Sequence, residues 1–182
     1  MQLYYQFGFC HSGGCRRHSL TDPDMAAEYL RRALSLVGTS RESLLRARIL
    51  DTLGNTLVES HKGPQTDRLR EAVRCHREAA EIYQERDLLE DWAREEFNQA
   101  NTWCDLPASE FPDKWAQAIA HYENAPRVRT RAKDPHRFAA TVMNLGTAFR
   151  LLPTGDRATN MLKSIRCYRQ ALRIFTLEAS PA

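Results

Sequence analysis

Four soft ligands lie within nine residues near the start of the chain: Cys10, His11, Cys15 and His18, in GFCHSGGCRRH. Cysteine and histidine are the side chains that hold zinc, so this is the sharpest candidate for a metal site. Its spacing matches no zinc knuckle or finger. The alternative places Cys10 and His11 at the end of a first helix and Cys15 and His18 in a long turn. Paired carboxylates occur as Glu90-Asp91 and Glu95-Glu96. Adjacent helical residues do not converge on one point, whereas acid–base work needs two groups facing one substrate. Both pairs therefore read as solvated helix faces. His76 reads as a core histidine. Cys75 and Cys167 lie beside the core, and a reactive thiol there would need an activating cation that the sequence does not supply. No Walker loop or dinucleotide fingerprint is present, and the single glycine of LPTGDR suits a turn better than a phosphate cradle. The expectation is a non-enzyme with no metal and no cofactor.

The basic residues form two groups: Arg127, Arg129, Arg131, Lys133, His136 and Arg137, and Arg16, Arg17, Arg31 and Arg32. Such patches can contact phosphates. However, acidic residues are interleaved elsewhere and the net charge is only +3, so an acidic peptide is the more natural partner than nucleic acid. Five cysteines without regular spacing fit free thiols in a reducing compartment. The start, MQLYYQFGFC, makes a poor signal peptide, and no stretch approaches the roughly 18 apolar residues of a membrane span. A cytoplasmic protein is expected.

An internal repeat must position all of these residues. With Gly54 beneath Gly146, ARILDTLGNTLVES aligns with AATVMNLGTAFRLL, and REAVRCHREAAEIY with LKSIRCYRQALRIF, both without a gap at an offset of 92. A middle copy falls at half that offset. Ala47, Ala93 and Ala139 align, as do Gly54, Ala100 and Gly146. So do Ala72, Ala118 and Ser164; Val73, Ile119 and Ile165; His76, Tyr122 and Tyr168; and Ala79, Ala125 and Ala171. One further step back gives Gly8, Ala26, Ala27, Leu30 and Ala33. Four copies, approximately 1-46, 47-92, 93-138 and 139-182, fill one domain of 182 residues.

Each copy reads as two helices. Asp134-Pro135 suits an N-cap and first helical position, as does Asp22-Pro23. Phe138, Val142, Leu145 and Phe149 then recur at helical spacing, and Met161, Ile165, Tyr168, Leu172 and Phe175 resume it after the break at LPTGD. The small columns let two helices approach closely beside an aromatic or leucine neighbour. Pro126 falls inside a helix and should end or kink it near Ala125.

Leu145-Gly146, Ser164, Tyr168 and Ala171 in the fourth copy, and Leu53-Gly54, Ala72, His76 and Ala79 in the second, resemble the tetratricopeptide signature. The period is 46 rather than the usual 34 or so. The chain looks most like long-period bacterial arrays, which often accompany caspase-like peptidases or nucleotide-binding signalling domains. Copy three departs most, with Ala100 for glycine, Glu96 in a usually apolar column, and Pro126. The resemblance implies an all-α fold: about eight helices in a right-handed superhelical stack of about four helix-turn-helix repeats.

In such a stack the first helices line a concave groove. The residues expected there are Arg48, Asp51 and Asn55; Arg94, Phe97, Asn98, Asn101 and Cys104; and Met143, Asn144, Thr147 and Arg150. Asparagine is a poor helix former, so its recurrence needs a reason. An amide that donates and accepts can grip an extended peptide, and arginine beside it can pair with a carboxylate. The competing reason is that the asparagines bond helix to helix. The reading is a non-catalytic module binding a peptide or protein segment. The alternatives are a regulatory segment of a larger signalling or peptidase system, and a metal-binding protein using the Cys10/His11/Cys15/His18 cluster. The last hairpin is expected to expose Ile165, Leu172 and Ile174, favouring self-association through the terminal repeat.

Overall fold

The computed structural model describes residues 22–37 and 44–179, with side chains to 176. The Cys10, His11, Cys15 and His18 cluster, Arg16, Arg17 and the expected first helix lie outside the described residues. Seven α-helices and one 3-10 turn, with no strand, make up the regular structure among the described residues: α1 (Pro23–Val37), α2 (Leu44–Glu59), α3 (Gln65–Glu85), α4 (Leu89–Asp105), α5 (Lys114–Asn124), the turn Ala125–Arg127, α6 (Pro135–Leu151) and α7 (Arg157–Ala179). The protein is all-α. None of these helices is long and apolar enough to cross a membrane. Contacts group the chain into two compact units, Met1–Asn98 and Gln99–Ala182.

In the first unit, α1 starts as expected at Asp22-Pro23. The Asp22 carboxylate accepts from the Asp24 amide at 2.9 Å and the Met25 amide at 3.4 Å, which satisfies donors that the first helical turn leaves open. Ala26, Ala27, Leu30 and Ala33 form its buried stripe. Ala27, Leu30 and Ala33 meet Ala47, Leu50, Leu53 and Leu57 of α2 and Ala72, Ala79 and Tyr83 of α3 in one core. The α3 helix ends with Asp87 in the left-handed region (φ 55°), and the Leu88 amide donates back to the Tyr83 carbonyl at 2.9 Å. That is a Schellman-type stop made by aspartate rather than glycine. It reverses the chain into α4, whose Trp92 packs on the same core.

In the second unit, α5 ends at Asn124 and Pro126 sits in the 3-10 turn, as the missing amide and ring clash of proline dictate. Asp134 caps α6 by accepting from the Arg137 amide at 3.0 Å, with Pro135 at the first helical position. Asp156 caps α7, accepting from the Thr159 amide at 2.8 Å and its hydroxyl at 2.6 Å. The intervening turn needs Gly155 at φ 79°. Phe138, Ala139, Val142, Ala171 and Ile174 form the core between α6 and α7.

The repeat columns fall on positions of close approach. Ala47, Ala93 and Ala139 are each fully buried, as are Ala72, Ala118, Ala79 and Ala125. A Cβ built on Gly54 would sit 2.5 Å from Cε1 of His76; one on Gly146 would sit 3.0 Å from Cβ of Cys167 and 3.1 Å from Cε1 of Tyr168. Gly54 thus makes room for a histidine and Gly146 for a tyrosine, one column of the repeat serving two different rings.

Candidate functional site

The expected groove residues divide between the two units. In the first, α2 contributes Arg48, Asp51 and Asn55, and α4 contributes Arg94 and Asn98. Asp51 is the organiser. Its Oδ1 accepts from the Asn55 side-chain amide at 2.9 Å, and its Oδ2 pairs with Arg94 at 2.8 Å. Arg94 also binds Asp91 at 2.6 Å and lies 5.7 Å from the centroid of the Tyr83 ring. Arg48 and Asn55 are exposed; Asp51, Arg94 and Asn98 are half-buried.

Beneath this row lies a buried charge cluster that the sequence did not reveal. Glu95 is fully buried and Glu96 is 6% exposed, so the expectation of a solvated Glu95-Glu96 face is wrong. The reason is the repeat itself: the inward side of α4 faces α3 at the aromatic column, which holds His76. As expected, His76 is a core residue, 1% exposed. Its Nδ1 lies 2.8 Å from Oε2 of Glu95. Oε1 of Glu95 is 3.4 Å from Nε of Arg94. Asp51, His76 and Glu95 bring ligand-type atoms within 4.8 Å of one another. This is a donor set a divalent metal could use, but the guanidinium of Arg94 already pairs with both carboxylates.

The electrostatics follow from burial. Desolvation, then the nearby Glu95 charge, pushes the Asp51 carboxyl up to about 6 against the pull of Arg94. Burial pushes Glu95 up to about 7 and pushes His76 down to about 4. The cluster therefore holds a proton on its carboxyls near neutrality while the imidazole stays uncharged. Nothing here presents a nucleophile or an acid–base pair to solvent. Cys75, pushed up by burial to about 12, is an inert thiol.

In the second unit, Asn101 and Asn144 bond to each other. Oδ1 of Asn101 accepts from the Asn144 amide at 3.2 Å and from the Tyr122 hydroxyl at 2.5 Å. These two asparagines join α4, α5 and α6, which is the helix-to-helix role. Thr147 lies 2.9 Å from the Tyr168 hydroxyl in the corresponding way. Arg150 and Met143 are exposed on α6; Cys104 is half-buried, 3.8 Å from the Tyr122 hydroxyl. Of the basic group around residue 130, Arg129 is buried and drops out of any surface patch. Arg127, Arg131, Lys133, His136 and Arg137 are exposed.

A cavity of about 520 Å³ opens beside α1, α2 and α3, with Leu34, Leu50 and Leu53 on its floor. Two of its arginines are already paired, Arg31 with Glu71 at 2.6 Å and Arg46 with Glu78 at 2.5 Å.

No protein-family model matches the sequence, and no curated protein matches it. Among solved structures, the chain is similar to the crystal structure of BtubC (BKLC) from P. vanneervenii, with a TM-score of 0.73 at 21% sequence identity. The match covers all of this chain and 65% of that one. At that identity the likeness concerns the fold alone.

Proposed function

We propose that the protein is a non-catalytic recognition module, a stack of tetratricopeptide-like hairpins that binds an extended peptide segment along the exposed row of α2. The observation that carries this reading is the Asp51 clamp. The Asn55 side-chain NH2 donates to the Asp51 carbonyl at 3.0 Å and to its carboxylate at 2.9 Å, while Arg94 holds the other carboxylate oxygen, so the Asn55 side-chain oxygen is oriented before any partner arrives. A pre-ordered acceptor lowers the entropy cost of binding. Arg48 and Asn55 are seven residues apart on α2, about 10 Å along the helix, the span of roughly three extended peptide residues. The Asn55 side-chain oxygen can accept from a backbone amide of such a segment, and Arg48 can pair with a carboxylate three residues away. The repeat columns at positions of close approach support the hairpin-stack reading.

The test uses a fluorescein-labelled acidic peptide with a free C-terminus. The expected result is saturable binding that weakens about tenfold in Arg48→Glu and in Asn55→Ala, with unchanged helicity and melting, since both side chains are exposed. Equal affinity in wild type and both variants rejects this row as the site.

A further inference from the structure

We propose that the outer face of α7 is a docking surface for an acidic amphipathic helix of a partner protein. Met161, Ile165, Tyr168, Leu172 and Phe175 recur at spacings of four and three residues, which places them in one stripe along the helix. Four of them are large apolar side chains left open: Met161 is 38% exposed, Ile165 44%, Leu172 59% and Phe175 39%. Ile174, expected to be exposed with them, is instead buried at 3%, because it lies on the opposite side, against α6.

The internal repeat shows what such a stripe does when complete. Its counterparts on α3 are Leu69, Val73, His76, Ala80 and Tyr83. Leu69, His76, Ala80 and Tyr83 are all buried, at 2%, 1%, 5% and 2%. The helix on that stripe is α4, which places Glu95 on His76 and Arg94 over Tyr83. Between Leu89 and Asn98 it carries Glu90, Asp91, Glu95 and Glu96 against one arginine. On the α3 stripe, then, the covering helix is amphipathic and acidic.

Charge selects the occupant. From Arg157 to Arg173, α7 carries five cationic side chains and no carboxylate. Arg166, Arg169 and Arg173 are exposed beside the stripe. Two copies pairing α7 against α7 would bring these like charges together, whereas an acidic helix is complementary to them. Burying a stripe of this kind excludes water from the ion pairs at its edge, which sets register as well as affinity.

The probe is a stapled, fluorescein-labelled peptide of residues 89–105 with Cys104→Ser, followed by fluorescence anisotropy. Saturable binding is expected, weakened at least about tenfold in Ile165→Glu/Leu172→Glu, a pair of exposed positions whose change leaves the fold intact. A peptide with lysines in place of its acids should not bind. Absence of saturable binding, or binding unchanged in the double variant, overturns the proposal. Two further outcomes overturn it in favour of another occupant: α7-dependent sedimentation with phosphatidylserine vesicles without peptide binding, and an α7-dependent dimer in light scattering without peptide binding. The surface is separate from the α2 row, so either reading can fail alone.

Discussion

Gly54→Ala is expected to destabilise the first unit by about 2 kcal/mol net, although alanine is the better helix former by about 1 kcal/mol. The added Cβ would lie 2.5, 2.7 and 2.9 Å from three atoms of the His76 ring, well inside van der Waals contact. The ring cannot swing into solvent, since it is 1% exposed and bonded to Glu95 at 2.8 Å. Either the helices separate, at a cost of about 1–3 kcal/mol for overpacking, or His76 withdraws one of the two partners of a fully buried carboxyl, at about 1–3 kcal/mol. Gly146→Ala should cost much less. Its Cβ meets Cys167, Tyr168 and the Ser164 carbonyl at 3.0–3.2 Å, so a shift of tenths of an ångström suffices and the propensity gain offsets most of it. Urea unfolding of the two variants measures the difference. A Gly54→Ala protein as stable as wild type would show that His76 does not fill the space above residue 54.

Glu95→Gln should stabilise the protein at alkaline pH and reverse part of its pH dependence. The Glu95 carboxyl is raised to about 7 by burial, so the folded state holds its proton more tightly than the unfolded chain. Its contribution is present in full below the unfolded value near 4.5 and is lost as pH rises through about 7. Asp51, raised to about 6, acts in the same direction. His76, lowered to about 4, acts oppositely: its contribution is present above about 6.5 and is lost as pH falls through about 4. Comparing variant with wild type removes most of the His76 and Asp51 dependence. From about pH 5 to pH 8.5, Glu95→Gln should gain about 2 kcal/mol on wild type in urea melts. A constant difference between the two proteins across that range would mean that Glu95 is ionised throughout, held so by Arg94.

The helical fold was legible because glycine, alanine and aromatic columns at one offset carry their own packing logic. Ala47, Ala72 and Ala79 could be assigned to close contacts before any coordinates, as could the stops at Pro126 and Asp134-Pro135. The buried carboxyl was not legible. Glu95 sits among Glu90, Asp91 and Glu96 in a stretch whose composition reads as solvent-facing. Its burial depends on which ring occupies position 76, on the preceding helix. The available signal was the pairing of a histidine in an aromatic column with a glutamate one repeat-half later. The asparagines show the opposite limit: one residue type on the same helix of the repeat takes two roles. Asn55 stays exposed and is braced by Asp51, while Asn101 and Asn144 spend their hydrogen bonds on each other and on Tyr122. Sequence spacing places all three on first helices and cannot distinguish a partner-facing amide from one that joins neighbours.

The most direct measurement of the central claim is an amide-resolved NMR titration of the full chain with the acidic free-carboxylate peptide. Saturable shifts are expected at Arg48, Asn55 and Arg94, including the Asn55 side-chain amide, with Asn101 and Asn144 unmoved. Shifts confined to α7 or to the exposed basic residues from Arg127 to Arg137, with the α2 row silent, would contradict it.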